Sequence, residues 1–289
     1  MIRLIVDSTC DTNSFVRENF DFDIIPLSIT INGISYLDGL EIQADSVYDY
    51  MRAGNLPKTS QISYESLTKV IEKCISNQDD FIYLTFSSKL SGTYNFAYKI
   101  MEIYKEKYPE RKMKIIDSKG GAGGAGLIAF QTMKMINKNL PFETIVNQIN
   151  FMIDHTVYYF TISDLEWLSK GGRVSKPIGY IGNVLNIKPY LTVDDGKMIV
   201  TKMVRGRKKA LKTIVSDVIS GASDFVNQTI CISHANDMEA ALYLEEKIKE
   251  VLPLCKTLIF QIGAVLGSHI GIGGIGAFYM DKKPEYYQY

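Results

Sequence analysis

Short apolar runs alternate with longer stretches of helical spacing along most of the chain. Residues 2–7, IRLIVD, form an apolar run that ends in an aspartate, and a polar turn follows. This predicts a strand and then a short helix through Glu18, with Asp11 or Thr12 as its cap. Residues 23–31 predict a second strand, at an edge or irregular, because Pro26 interrupts it. Asn32-Gly33, between Ile31 and Ile34, marks a two-residue hairpin turn. Helical spacing covers Ala44–Met51 and Ser63–Ile75. A strand at Phe81–Phe86 is followed by a helix from Ser91 toward Tyr104. A short strand at Lys114–Ile116 precedes helices at Gly123–Ile136 and Phe142–Ile153.

The second half repeats the alternation. Strands are predicted at Val157–Ile162, Asn186–Thr192 and Lys197–Met203, the last two joined by the turn Asp194-Asp195-Gly196. Further strands are predicted at Thr229–His234, Leu258–Ile262 and Ala277–Met280. A short helix ends at Gly171-Gly172, and longer helices span Arg207–Ser220 and Asp237–Leu252. The fold class is therefore α/β, with loops at the strand ends gathered on one face. A length of 289 residues suits two domains, divided at 1–155 and 156–289.

Composition narrows the functions available. Thirty-two basic and 32 acidic residues balance to a formal net charge of zero, which removes the simplest argument for a nucleic-acid partner. No apolar run reaches the roughly 20 residues needed to cross a bilayer, so no integral membrane contact is expected. Cys10, Cys74, Cys231 and Cys255 form no CxxC pair, and Asp7 and Asp11 interrupt any signal-peptide core; a cytoplasmic setting is expected. Three scattered histidines, with no HExxH and no calcium-loop spacing, argue against a metal site.

Four polar segments carry the candidate chemistry. Thr59-Ser60-Gln61 reads either as a helix cap or as an anion site at a helix start. Ser87–Thr93, SSKLSGT, has more hydroxyls than one cap needs. DSKGGAGGAG at 117–126 is neither a Walker loop nor a dinucleotide fingerprint; its glycines suit close packing or a ligand tail against bare backbone. The fourth, Gly263–Gly276, reads as a second glycine cradle holding His269 in a polar role, outside any core helix. His234 reads as a loop ligand or buried donor, and His155 as a helix C-terminal or surface residue. Arg205 and Arg207 could supply a charge-assisted contact to a carboxylate, phosphate or enolate.

Taken together and in order, these segments resemble the DegV family. The resemblance rests on IVDSTCD at 5–11, Ile25-Pro26-Leu27, TSQIS at 59–63, SSKLSGTY at 87–94 and DSKGGAGGAG at 117–126. It continues through LEWLSKGGRVSK at 165–176, KPYL at 188–191, Arg205 and IGAVLGSHIGIGG at 262–274. It implies a two-domain fold that encloses one long-chain fatty acid in a tunnel between the domains. The carboxylate would be presented to a separate ATP-binding kinase subunit, which makes acyl-phosphate for phospholipid synthesis. Thr59 and Ser91 would hydrogen-bond the carboxylate, Arg205 and His269 would orient the head group or aid transfer, and Ser60 and Gly92 would shape the pocket mouth. ATP and magnesium would belong to the partner, leaving this chain a lipid-binding subunit without a complete active site. The alternative is an autonomous acyl-ester hydrolase using Ser91 and His269, although GxSxG is absent.

Overall fold

The computed structural model describes residues 1–163, 165–173 and 186–289. The chain opens with β1 (Ile2–Asp7), α1 (Ser14–Asn19), β2 (Phe22–Ile25), β3 (Ser28–Ile31), β4 (Ile34–Leu37), α2 (Ala44–Arg52) and β5 (Lys58–Ser60). Next come α3 (Tyr64–Ser76), β6 (Asp80–Thr85), α4 (Thr93–Lys107), β7 (Met113–Asp117), α5 (Ala122–Asn137) and α6 (Phe142–His155). The remainder holds β8 (Thr156–Thr161), α7 (Glu166–Gly171), β9 (Ile187–Asp194), β10 (Lys197–Arg205) and α8 (Arg207–Gly221). It ends with β11 (Thr229–His234), α9 (Met238–Val251), β12 (Lys256–Gln261), α10 (Ala264–Ile270) and β13 (Ile275–Met280).

The described residues form three sheets. The first is parallel, in the order β2-β1-β6-β7. Connections leave β1 toward β2 and β6 toward β7, so the order reverses between β1 and β6, where open α/β sheets bind ligands beyond their carboxyl ends. The second sheet, β10-β9-β8-β13-β11-β12, is antiparallel except for the parallel β11–β12 pair. The third is the small antiparallel sheet β4-β3-β5. Pro26 explains why the predicted strand 23–31 divides: the chain leaves the first sheet after Ile25 and re-enters at Ser28 in the third.

Helix α5 lies between the first two sheets and shares one core with both. Leu4, Val6, Ile82 and Leu84 pack on one side, and Tyr158, Cys231, Phe260 and Phe278 on the other. Its sequence is apolar almost all round, and residues 123–133 are continuously buried, the pattern of a helix with no solvent face. The glycines of 120–126 serve this packing. A Cβ on Gly126 would stand 2.5 Å from the Asp11 carbonyl oxygen, and one on Gly123 would stand 2.6 Å from Ser233 Oγ and 2.7 Å from the Phe278 ring. Of the two readings open for this segment, close packing is the one these distances describe.

Several predicted boundaries shift. The cap of α1 is Asn13, whose side chain accepts from the Val16 amide, rather than Asp11 or Thr12. Ser63 caps α3 through the Ser66 amide, which frees Thr59 from capping and leaves it in β5. The segment after Gly263 is helical, so His269 sits in the last turn of α10 and not in a glycine-rich loop. Residues 174–176 of the LEWLSKGGRVSK motif lie outside the described residues.

Gly126→Ala tests the packing of α5. Helix propensity alone favours alanine by about 1 kcal/mol. Overpacking against rigid backbone opposes it by about 1–3 kcal/mol, so a lower melting temperature is expected. A rise on thermal denaturation would contradict the packing described here.

Candidate functional site

A cavity of about 330 Å³ opens where the strand-end loops of the first sheet face the second sheet. Its walls come from both halves of the chain. Phe86 and Leu90 follow β6, Gly120 and Gly121 follow β7, and Tyr158, Phe160, Met198 and Phe278 project from the second sheet. Most of the lining is apolar. Thr59, Ser60, Gln61, Ser91, Gly92, Arg173 and His269 line it as well and supply its polar atoms.

Thr59 is held in β5 opposite Ile29 of β3, and its Oγ1 lies 2.9 Å from Nε2 of His269. That meeting depends on how α10 is seated. The Asp38 carboxylate accepts the amides of Ala264 and Val265 at 3.1 and 3.2 Å, satisfying the start of the helix. Asp11 Oδ1 accepts the Gly263 amide at 3.4 Å, and the Tyr48 hydroxyl donates to the Ile262 carbonyl at 2.8 Å. Gly267 leaves room for the Tyr48 ring: a Cβ there would be 2.4 Å from the tyrosine oxygen. Gly171 does the same for His269, where a Cβ would be 2.2 Å from Nδ1.

Ser91 stands one residue before Gly92, at the start of α4. Its Oγ accepts the Thr93 amide at 3.2 Å and lies 2.9 Å from the Thr93 hydroxyl. Ser91 thus ties down the first amide of α4 from just before the N-cap Gly92, and it lines the cavity as well. The preceding loop is fixed by Asp7, which accepts the Phe86 amide at 2.7 Å, and by Ser87, which donates to the Gly196 carbonyl of the second half. Gly92 lets Gln61 cross above it; a Cβ would be 2.3 Å from Gln61 Oε1.

Among the described lining residues the cation is Arg173, which the sequence reading passed over. It follows Gly172, whose φ of +68° turns the chain out of α7, and it donates to the carbonyls of Leu90 and Gly171. Arg205, expected beside His269, instead ends β10 opposite Ile187, is exposed, and is not among the described cavity-lining residues. Arg207 pairs with Asp237. The signal for Arg173 was its place in the GGR motif, directly after a left-handed glycine.

Burial, and then the Arg173 charge, push His269 down to about 4, so its imidazole is neutral near neutral pH. Ser91 and His269 line one cavity, but among the described residues each hydrogen-bonds elsewhere, Ser91 to Thr93 and His269 to Thr59. His234 ends β11 and accepts the Asp237 amide at 3.2 Å, whereas His155 ends α6 and lies 2.8 Å from Asp281. Among the described residues no cluster of three or more histidine, cysteine, aspartate or glutamate side chains could hold a metal. No helix there is long and apolar enough to cross a membrane.

The family model described as "Uncharacterised protein, DegV family" matches residues 1–282. The chain belongs to the DegV family. A DegV domain-containing protein of Clostridium perfringens is 32% identical over 285 residues, which cover 98% of each chain. Among solved structures, a DegV family protein from Thermus thermophilus, described for its fatty acid binding, is 27% identical. It aligns over 96% of this chain and 99% of its own, with a TM-score of 0.86. The Fatty Acid Kinase (Fak) B3 protein of Streptococcus pneumoniae, loaded with linoleic acid, shares the DegV fold at 24% identity and a TM-score of 0.85. That alignment covers 98% of this chain and all of the other.

The buried acids that hold the loops around the site generate a pH prediction. Burial pushes Asp11 up to about 7 and Asp7 up to about 6. A carboxyl raised on folding favours the folded state below its unfolded value, and that contribution is lost as pH rises through about 7. Asp11→Asn keeps an oxygen for the Gly263 amide and removes the titration. Relative to the parent, the variant should gain roughly 1–3 kcal/mol of stability between about pH 5 and about pH 8 in chemical denaturation. An equal difference at both pH values would contradict this account.

Proposed function

We propose that this DegV protein binds one long-chain fatty acid in the cavity between its sheets and presents the carboxylate to a separate ATP-binding kinase subunit. The observation that carries this reading is the cavity's division of labour. Largely apolar walls can take up an acyl chain, while Thr59, Ser91, Arg173 and His269 supply polar contacts from both halves of the chain. Each buried methylene contributes roughly 0.8 kcal/mol, and the carboxylate must be hydrogen-bonded where it leaves water. The fatty acid binding described for the Thermus thermophilus relative agrees with this reading.

The geometry suggests how the head group is held. His269 is neutral, and in the tautomer that carries its proton on Nε2 it donates to Thr59 Oγ1, so that the Thr59 hydroxyl points its own proton at a carboxylate oxygen. If the Thr93 hydroxyl donates to Ser91, the Ser91 hydroxyl is free to do the same, beside the positive end of the 15-residue helix α4. Arg173 supplies the compensating charge. Ser60 and Gly92 border this end, and Gln61 lies across Gly92. Arg205 is outside this grip and exposed.

In the transfer step, a carboxylate oxygen of the bound acid attacks the γ-phosphorus of ATP, the bond to the β-phosphate oxygen breaks, and acyl-phosphate and ADP result. ATP and magnesium are supplied by the partner. A cytoplasmic setting fits the four buried free cysteines.

Two measurements test the reading. Thr59→Ala and Ser91→Ala should each weaken fatty-acid affinity by about 1.5–3 kcal/mol, roughly ten- to hundredfold, in a displacement assay. Unchanged affinity in both variants would remove the proposed carboxylate contact. Mixing loaded protein with the organism's ATP-dependent fatty acid kinase subunit should give acyl-phosphate, trapped as a hydroxamate, that neither component yields alone. Ester turnover by the chain alone would favour a hydrolase instead.

A further inference from the structure

One wall of the cavity is an arm that extends beyond the sheet it springs from. Strand β9 pairs with β8 only at Tyr190 and Leu191, opposite Thr161 and Phe160. Beyond Leu191 it parts from β8, and among the described residues 192–194 pair only with 197–199 of β10. A two-stranded ladder of this kind is marginal without support. Its turn is tight: Asp195 and Gly196, with φ of +42° and +80°, are the two loop residues, so the arm moves as one piece. At its base β10 shifts register between Val200 and Lys202, the kind of irregularity that bends a strand. From the arm, Val193 and Met198 line the cavity.

Support for the arm comes at its tip. Ser87, fully buried, donates through Oγ to the Gly196 carbonyl at 2.7 Å. Gly196 comes so close that a Cβ there would be 2.6 Å from Ser87 Oγ and 3.2 Å from Lys89 Cγ. Lys119 Nζ lies 3.5 Å from Asp195, an exposed pair that contributes little. The tip thus rests on the loops after β6 and β7, the same loops that bring Ser91, Gly120 and Gly121 to the cavity. Other walls are held more firmly. Strand β13 is paired on both sides, and α10 is seated by Asp11, Asp38 and Tyr48.

We propose that residues 192–199 form a flap over the acyl chain, hinged at the register shift and latched at its tip by Ser87, and that the fatty acid enters and leaves past Val193 and Met198 when the latch opens. The proposal rests on fatty-acid binding in this cavity and adds how the ligand exchanges. Opening the flap breaks one neutral hydrogen bond and one exposed ion pair, each a modest contribution. Opening the wall at β13 would instead break a sheet ladder. Exchange in both directions then scales with the population of the open state.

Gly196→Ala tests the latch, because its methyl group would push the tip off Ser87 and the φ of +80° resists any L side chain. Association and dissociation of palmitic acid are followed by stopped-flow displacement of a fluorescent fatty acid. Both rate constants should rise together, by about three- to tenfold for the loss of one hydrogen bond, while their ratio is little changed. Faster dissociation without faster association is what damaged packing alone would give, and it would overturn the proposal, as would unchanged rates in both directions. Met198→Cys gives a second readout that leaves the latch intact. Met198 is 8% exposed, and the four native cysteines are buried and free. In the delipidated protein a bulky maleimide should modify position 198 far faster than the native thiols, and bound palmitic acid should slow it. Modification no faster than that of the native cysteines would overturn the flap. These contrary outcomes leave fatty-acid binding standing, whereas failure of palmitic acid and every other long-chain acid to bind the parent takes down both readings.

Discussion

The hydrogen bond between Thr59 and His269 spans 210 positions of sequence and joins a three-residue strand of the first half to a seven-residue helix of the second. Neither element would persist alone. Strand β5 exists because β3 gives it a ladder, and α10 is held by Asp38 at its first amides and by Tyr48 at the carbonyl before it. The polar end of the cavity is therefore a product of tertiary structure. Its polar groups are aligned before any ligand arrives, which would lower the entropic cost of the proposed grip on a carboxylate.

The same economy of backbone appears at α5. A helix without a solvent face must be served by two sheets, and glycines along its first turns let both approach. Beyond that helix start the sheets leave space, and the cavity occupies it, with Gly120 and Gly121 in the wall. Tight packing and the open site are thus adjacent consequences of one arrangement. Buried carboxyls are its electrostatic cost. Asp7 and Asp11 sit where burial disfavours their charge, yet both accept backbone amides that fix the loops around the site.

Much of the architecture was legible in the sequence because most elements carry their own periodicity. The strands at 2–7 and 229–234 and the long helices follow from spacing, and the DegV resemblance supplied the order of the motifs. What escaped was set by distant contacts. Lys58–Ser60 has no apolar alternation and becomes a strand only against β3. Gly263–Ile270 looked like a loop because its glycines lower helix propensity, an effect that capping by Asp38 offsets. Thr59, Ser60, Ser91, Gly92 and His269 do line one cavity. Arg173 lines it as well, brought there by the turn at Gly172, whereas Arg205 ends β10 and is not among its described lining residues.

The central claim is that the cavity is built for a single long-chain fatty acid. Native mass spectrometry of the intact purified chain, followed by lipid extraction, addresses it most directly. The account predicts one adduct per chain, of long-chain fatty acid mass, which is released on unfolding and restored by adding back the acid. A chain that carries no such adduct and takes up no long-chain acid when offered it would contradict the account.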